Sequence, residues 1–193
     1  MASPQPPDFA RLLADIARAL RDRRIAFMLI GGQAVLLHGV PRLTEDIDVT
    51  LGVDTSGLPA LLSVCRSLSL SVLPHDAEEF VRETFVLPVR HGESGIRVDF
   101  IFSTTLYEQQ AIARAEMVVL AGVPVPFASA EDLLIHKLFA GRPRDLEDAA
   151  GVVRRKGHQL DWTYLEHWTG EFAAVPGREK LPAMLRALRE GQE

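Results

Sequence analysis

Apolar positions give the first outline of the chain. Phe9, Leu12, Leu13, Ile16, Ala17 and Leu20 recur at helical spacing, so residues 8–23 are predicted to form an amphipathic helix. A short apolar run over residues 25–30 stops at Gly31-Gly32 and reads as a buried strand, with a helix starting over 33–38. Residues 45–51 alternate acidic and apolar side chains with period two, the pattern of a strand. A second helix is predicted over 58–68. Two strands follow over 84–90 and 96–102, joined at His91-Gly92-Glu93-Ser94-Gly95 as a hairpin. A helix over 105–115 precedes short strands at 117–120 and 123–127, which turn at Ala121-Gly122. Ser129 followed by Asp132 resembles a cap opening a helix that runs to Phe139. From Arg144 onward the pattern is helical, with breaks near Gly157 and Pro176-Gly177, while the first seven residues read as a floppy lead. The predicted class is α+β: a core of mixed twisted sheet and flanking helices over residues 1–128, and a C-terminal helical part over 129–193 packed on it. No composition break separates the two, so one continuous domain is also compatible.

Composition narrows the setting. The chain has 193 residues, 47% hydrophobic and 24% charged, which is ordinary for a folded protein and argues against disorder or a fibrous repeat. Cys65 is the single cysteine, so an internal disulfide is excluded and a reducing compartment fits. No run approaches the roughly 20 apolar residues of a membrane span, and the opening lacks a basic-then-apolar leader. A cytoplasmic protein without a membrane partner is therefore expected. The net charge of −5 argues against non-specific coating of duplex DNA. Arg18, Arg21, Arg23 and Arg24 nevertheless cluster, as do Arg142, Arg144, Arg154, Arg155 and Lys156. Each cluster reads either as a solvated helix face or as a local surface for RNA or a nucleotide.

The segment that carries chemistry is Leu29-Ile30-Gly31-Gly32, then thirteen residues, then Asp46-Ile47-Asp48-Val49. A strand that ends in two glycines and leads into a helix lets backbone N–H groups approach an anion closely, and the helix start adds partial positive charge. Asp46 and Asp48, two apart on a strand, point to one face. Carboxylates that close repel unless a cation lies between them. Oxygen-only ligands select Mg²⁺, which commonly bridges to substrate phosphates. Asp99, in Arg97-Val98-Asp99-Phe100 on another predicted strand, would complete a three-carboxylate cluster if that strand lay beside the first. A third acid there would serve as metal ligand or as a base near an attacking hydroxyl. The alternative for Asp99 is an ion pair with Arg97 or Arg42.

The ordered set Gly31, Gly32, Asp46, Asp48 and Asp99 resembles the DNA polymerase β-type nucleotidyltransferase superfamily. The stretch Gly32-Gln33-Ala34 through Arg42-Leu43-Thr44-Glu45-Asp46-Ile47-Asp48 is similar to its minimal and AbiEii-type members, many of them toxins of toxin–antitoxin systems. A second element supports this likeness: Glu131-Asp132-Leu133-Leu134-Ile135-His136-Lys137-Leu138, then Arg142-Pro143-Arg144-Asp145-Leu146-Glu147-Asp148. The resemblance spans roughly residues 25–153.

The resemblance implies the nucleotidyltransferase fold and a Mg²⁺-dependent transfer of NMP from an NTP to an acceptor hydroxyl. Asp46, Asp48 and Asp99 would hold one or two ions. Gly31, Gly32, Arg42, Thr44 and Lys137 would bind the nucleotide, and Lys137 and Asp145 would join the catalytic set. The lysine-to-acid spacing is short, which leaves Asp145 and Asp148 as alternative counterparts. Lys137 has a plainer reading, an amine reaching past Leu133, Leu134 and Leu138 to water. The implied acceptor is the 3′ end of tRNA, and a toxin would have a cognate antitoxin. A protein hydroxyl or small-molecule acceptor, or a catalytically idle member that binds a nucleotide or partner, are the alternatives.

Other patterns lead nowhere. Gly92-Glu93-Ser94-Gly95 is one residue short of a nucleophile elbow, and no Walker A sequence or zinc-binding histidine pair is present. Trp162, Tyr164, Trp168 and Phe172 read as helix packing rather than a base-stacking platform.

Overall fold

The structure, a computed structural model, describes residues 9–103 and 105–191; the predicted lead over residues 1–7 lies outside them. In chain order the elements are α1 (Phe9–Asp22), β1 (Phe27–Ile30), α2 (Gly31–His38), β2 (Asp46–Leu51), α3 (Leu58–Ser67) and β3 (Leu70–Val72). Then come α4 (Ala77–Thr84), β4 (Val86–His91), β5 (Arg97–Phe102), α5 (Leu106–Ala113), β6 (Glu116–Leu120) and β7 (Val123–Phe127). Four helices follow: α6 (Ala130–Ala140), α7 (Pro143–Lys156), α8 (Trp162–Phe172) and α9 (Leu181–Glu190). None of the described helices is long and apolar enough to cross a membrane.

The chain divides into two compact units, Met1–Ile30 with Thr44–Phe127, and Gly31–Leu43 with Ala128–Glu193. The first contains a seven-stranded mixed sheet in the order β3-β4-β5-β2-β1-β7-β6. β2 pairs β5 in parallel and β1 antiparallel, and β1 pairs β7 in parallel. The alternation seen in the sequence has its physical counterpart on β2 and β5. Ile47, Val49 and Leu51, with Val98, Phe100 and Phe102, are buried on one face. Their neighbours Asp46, Asp48, Arg97 and Asp99 therefore share the other face. The β6–β7 hairpin turns through Ala121 (φ 47°) and Gly122 (φ 76°), the paired positive φ values that match strand twist in a two-residue turn. Cys65 is buried on α3, and desolvation pushes its thiol up to about 12, so it stays protonated.

The second unit is helical. Ser129 caps α6 by accepting from the Asp132 N–H, and its Oγ donates to Asp132 Oδ2 at 2.6 Å. Gly141 closes α6 in the left-handed region at φ 68°. Leu133, Leu134, Ile135, Leu138, Val152, Leu165 and Leu185 form its core. Phe172 meets Phe139 edge-on at 5.3 Å and Trp168 at 5.9 Å, so the aromatic residues of α8 contribute to helix packing.

Two features depart from the sequence outline. The segment Gly31–Leu43 groups with the C-terminal helices, although it lies between two strands in the chain. Ala34 and Val35 are buried, α2 packs on α6 and α7, and His38 Nε2 lies 2.8 Å from the Ala128 carbonyl. The second departure is β3 and α4, which the hydrophobic pattern did not reveal. β3 has only three residues, too few to show a period. The α4 signal was local: Asp76 caps the helix by accepting from the Glu79 N–H. Thr84, predicted to begin a strand, ends α4, and Phe85 reverses the chain at φ 59°.

Phe100 is fully buried on β5. Phe100→Ala is expected to cost about 3–5 kcal/mol, read as a fall in the urea midpoint of unfolding.

Candidate active site

In the sheet unit, strand pairing assembles the acids. Asp48 is the direct partner of Asp99 across the parallel β2–β5 pair, and Asp46 is the partner of Arg97. Residues opposite one another on paired strands project to the same side. Asp46 is exposed, whereas Asp48 and Asp99 are half-buried. Thr44 Oγ1 donates to Asp46 Oδ1 at 3.1 Å and so orients that carboxylate.

This group also contains a cation. Arg97 Nε lies 2.9 and 3.1 Å from the two Asp99 oxygens. The Asp99 hydrogen bond raises the guanidinium above its ordinary value against a smaller effect of desolvation, and the charges of Asp46 and Asp48 add to the attraction. Of the two alternatives for Asp99, Arg97 is the partner observed. The sequence signal was present: in Arg97-Val98-Asp99, period two places both charges on one face.

The donor set suits a hard divalent ion, three carboxylates on one face of adjacent strands where positive charge is already favoured. Among the described residues, however, no three His, Cys, Asp or Glu side chains are gathered as a ready metal cluster. A metal ligated by Asp99 has to take over oxygens that now accept from Arg97.

The helical unit holds the candidate phosphate-binding groups. The chain leaves β1 at Ile30, the strand partner of Asp48, and enters α2 at Gly31. Gly31 has φ 61°, which a residue with a Cβ adopts only at a steric cost, so the turn favours glycine. Gly32 follows it in the first turn of α2 and is buried.

Lys137 does not reach water. Its side chain is 8% exposed, and Nζ lies 2.9 Å from both Asp145 Oδ1 and Asp148 Oδ2. Arg42 donates from Nε to Asp148 Oδ1 at 2.8 Å and from Nη2 to Oδ2 at 3.0 Å. Arg142 Nε donates to Asp145 Oδ2 at 2.6 Å. Asp145 and Asp148, which the spacing left as alternatives, thus hold the lysine together. Burial works against their charged forms, but hydrogen bonds from Arg142 and Lys137 to Asp145, and from Arg42 and Lys137 to Asp148, outweigh it. Both carboxyls lie below their ordinary value of 3.8. Next to Lys137, desolvation pushes the His136 imidazole down to about 4, with Lys137 adding to the effect and Asp132 opposing it. Tyr164 donates to Asp132 Oδ1 at 2.8 Å, a link from α8 to α6 without a sequence signature.

Removing one member of a buried ion pair leaves uncompensated charge. Lys137→Ala is expected to cost about 3–5 kcal/mol at pH 7, measured by chemical denaturation. The folded values of Asp145 and Asp148 lie below 3.8. Their contribution is therefore present above the unfolded value and is lost as pH falls through the depressed one. The difference between wild type and Lys137→Ala should accordingly shrink below that value.

The profile of the family described as Nucleotidyl transferase AbiEii toxin, Type IV TA system, matches residues 11–166. No curated protein sequence matches the chain. Among solved structures, ANT(2″)-Ia in complex with adenylyl-2″-tobramycin is similar with a TM-score of 0.52 and 19% identity, covering 95% of this chain and 98% of that one. An antigenic nucleotidyltransferase-like protein from Paracoccidioides brasiliensis is similar with a TM-score of 0.55 and 18% identity, covering 96% and 95%. A putative nucleotidyltransferase from H. pylori is similar with a TM-score of 0.52 and 16% identity, covering 99% and 97%. These likenesses show the α+β nucleotidyltransferase fold, and the family match covers most of the chain. The protein belongs to the AbiEii nucleotidyl transferase family and is a nucleotidyltransferase.

Proposed function

We propose that the protein is a Mg²⁺-dependent enzyme that transfers NMP from an NTP to the 3′-terminal hydroxyl of tRNA. The observation that carries the reaction class is the in-register pairing of Asp48 with Asp99 on strands β2 and β5, with Asp46 on the same face. Asp46, Asp48 and Asp99 hold the metal. Bound Mg²⁺ supplies charge neutralisation at the transferring phosphoryl group. Thr44 fixes the Asp46 carboxylate, and the glycine turn at Gly31 and Gly32 offers backbone N–H groups to the phosphates. Lys137 and Arg42 neutralise the triphosphate, and Asp145 holds Lys137 in place.

In the transfer step, the acceptor oxygen forms a bond to the α-phosphorus. The bond from that phosphorus to the bridging oxygen breaks, and pyrophosphate leaves with the electron pair. Asp99 takes the hydroxyl proton.

The tRNA acceptor rests on the resemblance to toxin-type members, and the toxin description of the family supports a separate antitoxin as partner. A transferable hydroxyl on a small molecule is the second reading. ANT(2″)-Ia, matched over 98% of its length, is described in complex with adenylyl-2″-tobramycin, and a further neighbour is a lincosamide antibiotic adenylyltransferase.

Incubation of the purified protein with labelled NTPs, Mg²⁺ and either total tRNA or an aminoglycoside panel separates the acceptors by where the label appears. Asp46→Ala and Asp48→Ala are each expected to lower transfer by about 10³-fold or more, since several kcal/mol of charge stabilisation is lost. Their circular dichroism should remain that of the wild type, because losing one carboxylate relieves repulsion in the metal-free cluster. Full transfer by both variants would remove the metal assignment. Metal-dependent NTP binding without transfer to any acceptor would mark an idle member of the family.

A further inference from the structure

The linker between the glycine turn and the acidic strand is docked along one face of α7. Asp148, Gly151, Val152 and Arg155 stand at i, i+3, i+4 and i+7 of that helix, a single stripe. Each meets the linker. Asp148 takes both hydrogen bonds of the Arg42 fork. Gly151 gives room to Val40, whose Cγ2 would lie 3.2 Å from an added Cβ. Val152 Cγ2 would lie 3.4 Å from a Cβ at Gly39, and Arg155 Nη1 donates to the Gly39 carbonyl at 2.8 Å. Asp148 is distinct within the stripe because its second oxygen is shared. Oδ2 lies 2.9 Å from Lys137 Nζ and 3.0 Å from Arg42 Nη2.

We infer that Asp148 is a positioning residue for a triphosphate, fixing Arg42 and Lys137 side by side as a two-cation grip while α7 sets the height of the linker that carries Arg42. The inference rests on the reading of Lys137 and Arg42 as phosphate ligands. The arrangement brings the cations Lys137, Arg42 and Arg142 to the buried carboxylates Asp145 and Asp148, with Lys137 buried and Arg142 mostly exposed. It favours a polyanion over a single carboxylate, since two cations at fixed spacing engage two phosphate groups at once. Two effects compete when Asp148 is neutralised. Less negative charge would draw an anion in, but a lysine in this position loses support for its own charge, and the Arg42 fork loses its anchor. The geometry favours the second effect, because both cations are hydrogen-bonded to this one group.

The probe is inorganic tripolyphosphate, which carries no base or sugar, titrated calorimetrically into the full chain with Mg²⁺. Asp148→Asn should weaken binding by about 10-fold or more, the loss of one charge-assisted contact. In a cycle with Arg42→Ala, the double variant should bind about as weakly as the weaker single one, since one grip is lost only once. Gly151→Ala changes no charge, pushes most closely on Val40, and should weaken binding by about 3-fold through displacement of the linker. It keeps the test intact if Asp148→Asn does not fold. An unchanged dissociation constant in Asp148→Asn with a lowered thermal midpoint would make the network purely structural and overturn the inference. Tighter binding would overturn it too, by showing that Asp148 competes with the phosphates. Absence of tripolyphosphate binding by wild type would remove the grip itself. Binding that depends on Asp148 in a protein that transfers no label would leave the inference standing and the transferase proposal fallen.

Discussion

Parallel pairing of β2 with β5 is the constraint on which the acidic site depends. It sets Asp48 against Asp99 and Asp46 against Arg97, and it buries Ile47, Val49, Val98 and Phe100 on the opposite face. A slip of one residue would turn the acids into the core and the aliphatic residues out, so burial on one face enforces the register on the other. The packing that stabilises the sheet therefore also concentrates negative charge. Arg97 is the local answer to that charge, a cation drawn from the same strand and the same face as Asp99.

The two units treat charge differently. On the sheet, carboxylates at partly exposed positions are balanced by one half-exposed arginine, an arrangement in which partners can be exchanged at modest cost. In the helical unit, Asp145 and Asp148 are almost fully buried and each accepts from two cations. There the desolvation of each ion is offset only while its partners stay in place, so the arrangement is stiff. A metal-exchanging site benefits from the first kind of balance, and a fixed phosphate grip from the second.

Family membership gives the reaction class, and the residues give it a physical form. Carboxylates on one sheet face, a glycine at positive φ at the start of α2, and a lysine held by two carboxylates are the residues to which the proposal gives that reaction. The neighbours of similar size include antibiotic adenylyltransferases, while the family is described as a toxin. The shared fold by itself therefore does not choose an acceptor.

The sequence by itself determined most of the elements and the order of the acids. Period-two alternation located β2 and put Asp46 and Asp48 on one face, because side-chain direction on a strand is a local property, whereas the place of Asp99 beside them waited on strand pairing. Glycine at position 31 was legible for the same reason, since backbone strain is local. The membership of α2 in the helical unit was not legible, nor were the sharing of Lys137 between Asp145 and Asp148 and the anchoring of Arg42 across 106 residues of chain. Arg97 lay between the two cases: its face could be read from spacing, but its hold on Asp99 required the rotamers that packing selects. Contacts of this kind depend on which surfaces meet after the elements form, and no periodicity in the chain encodes that meeting.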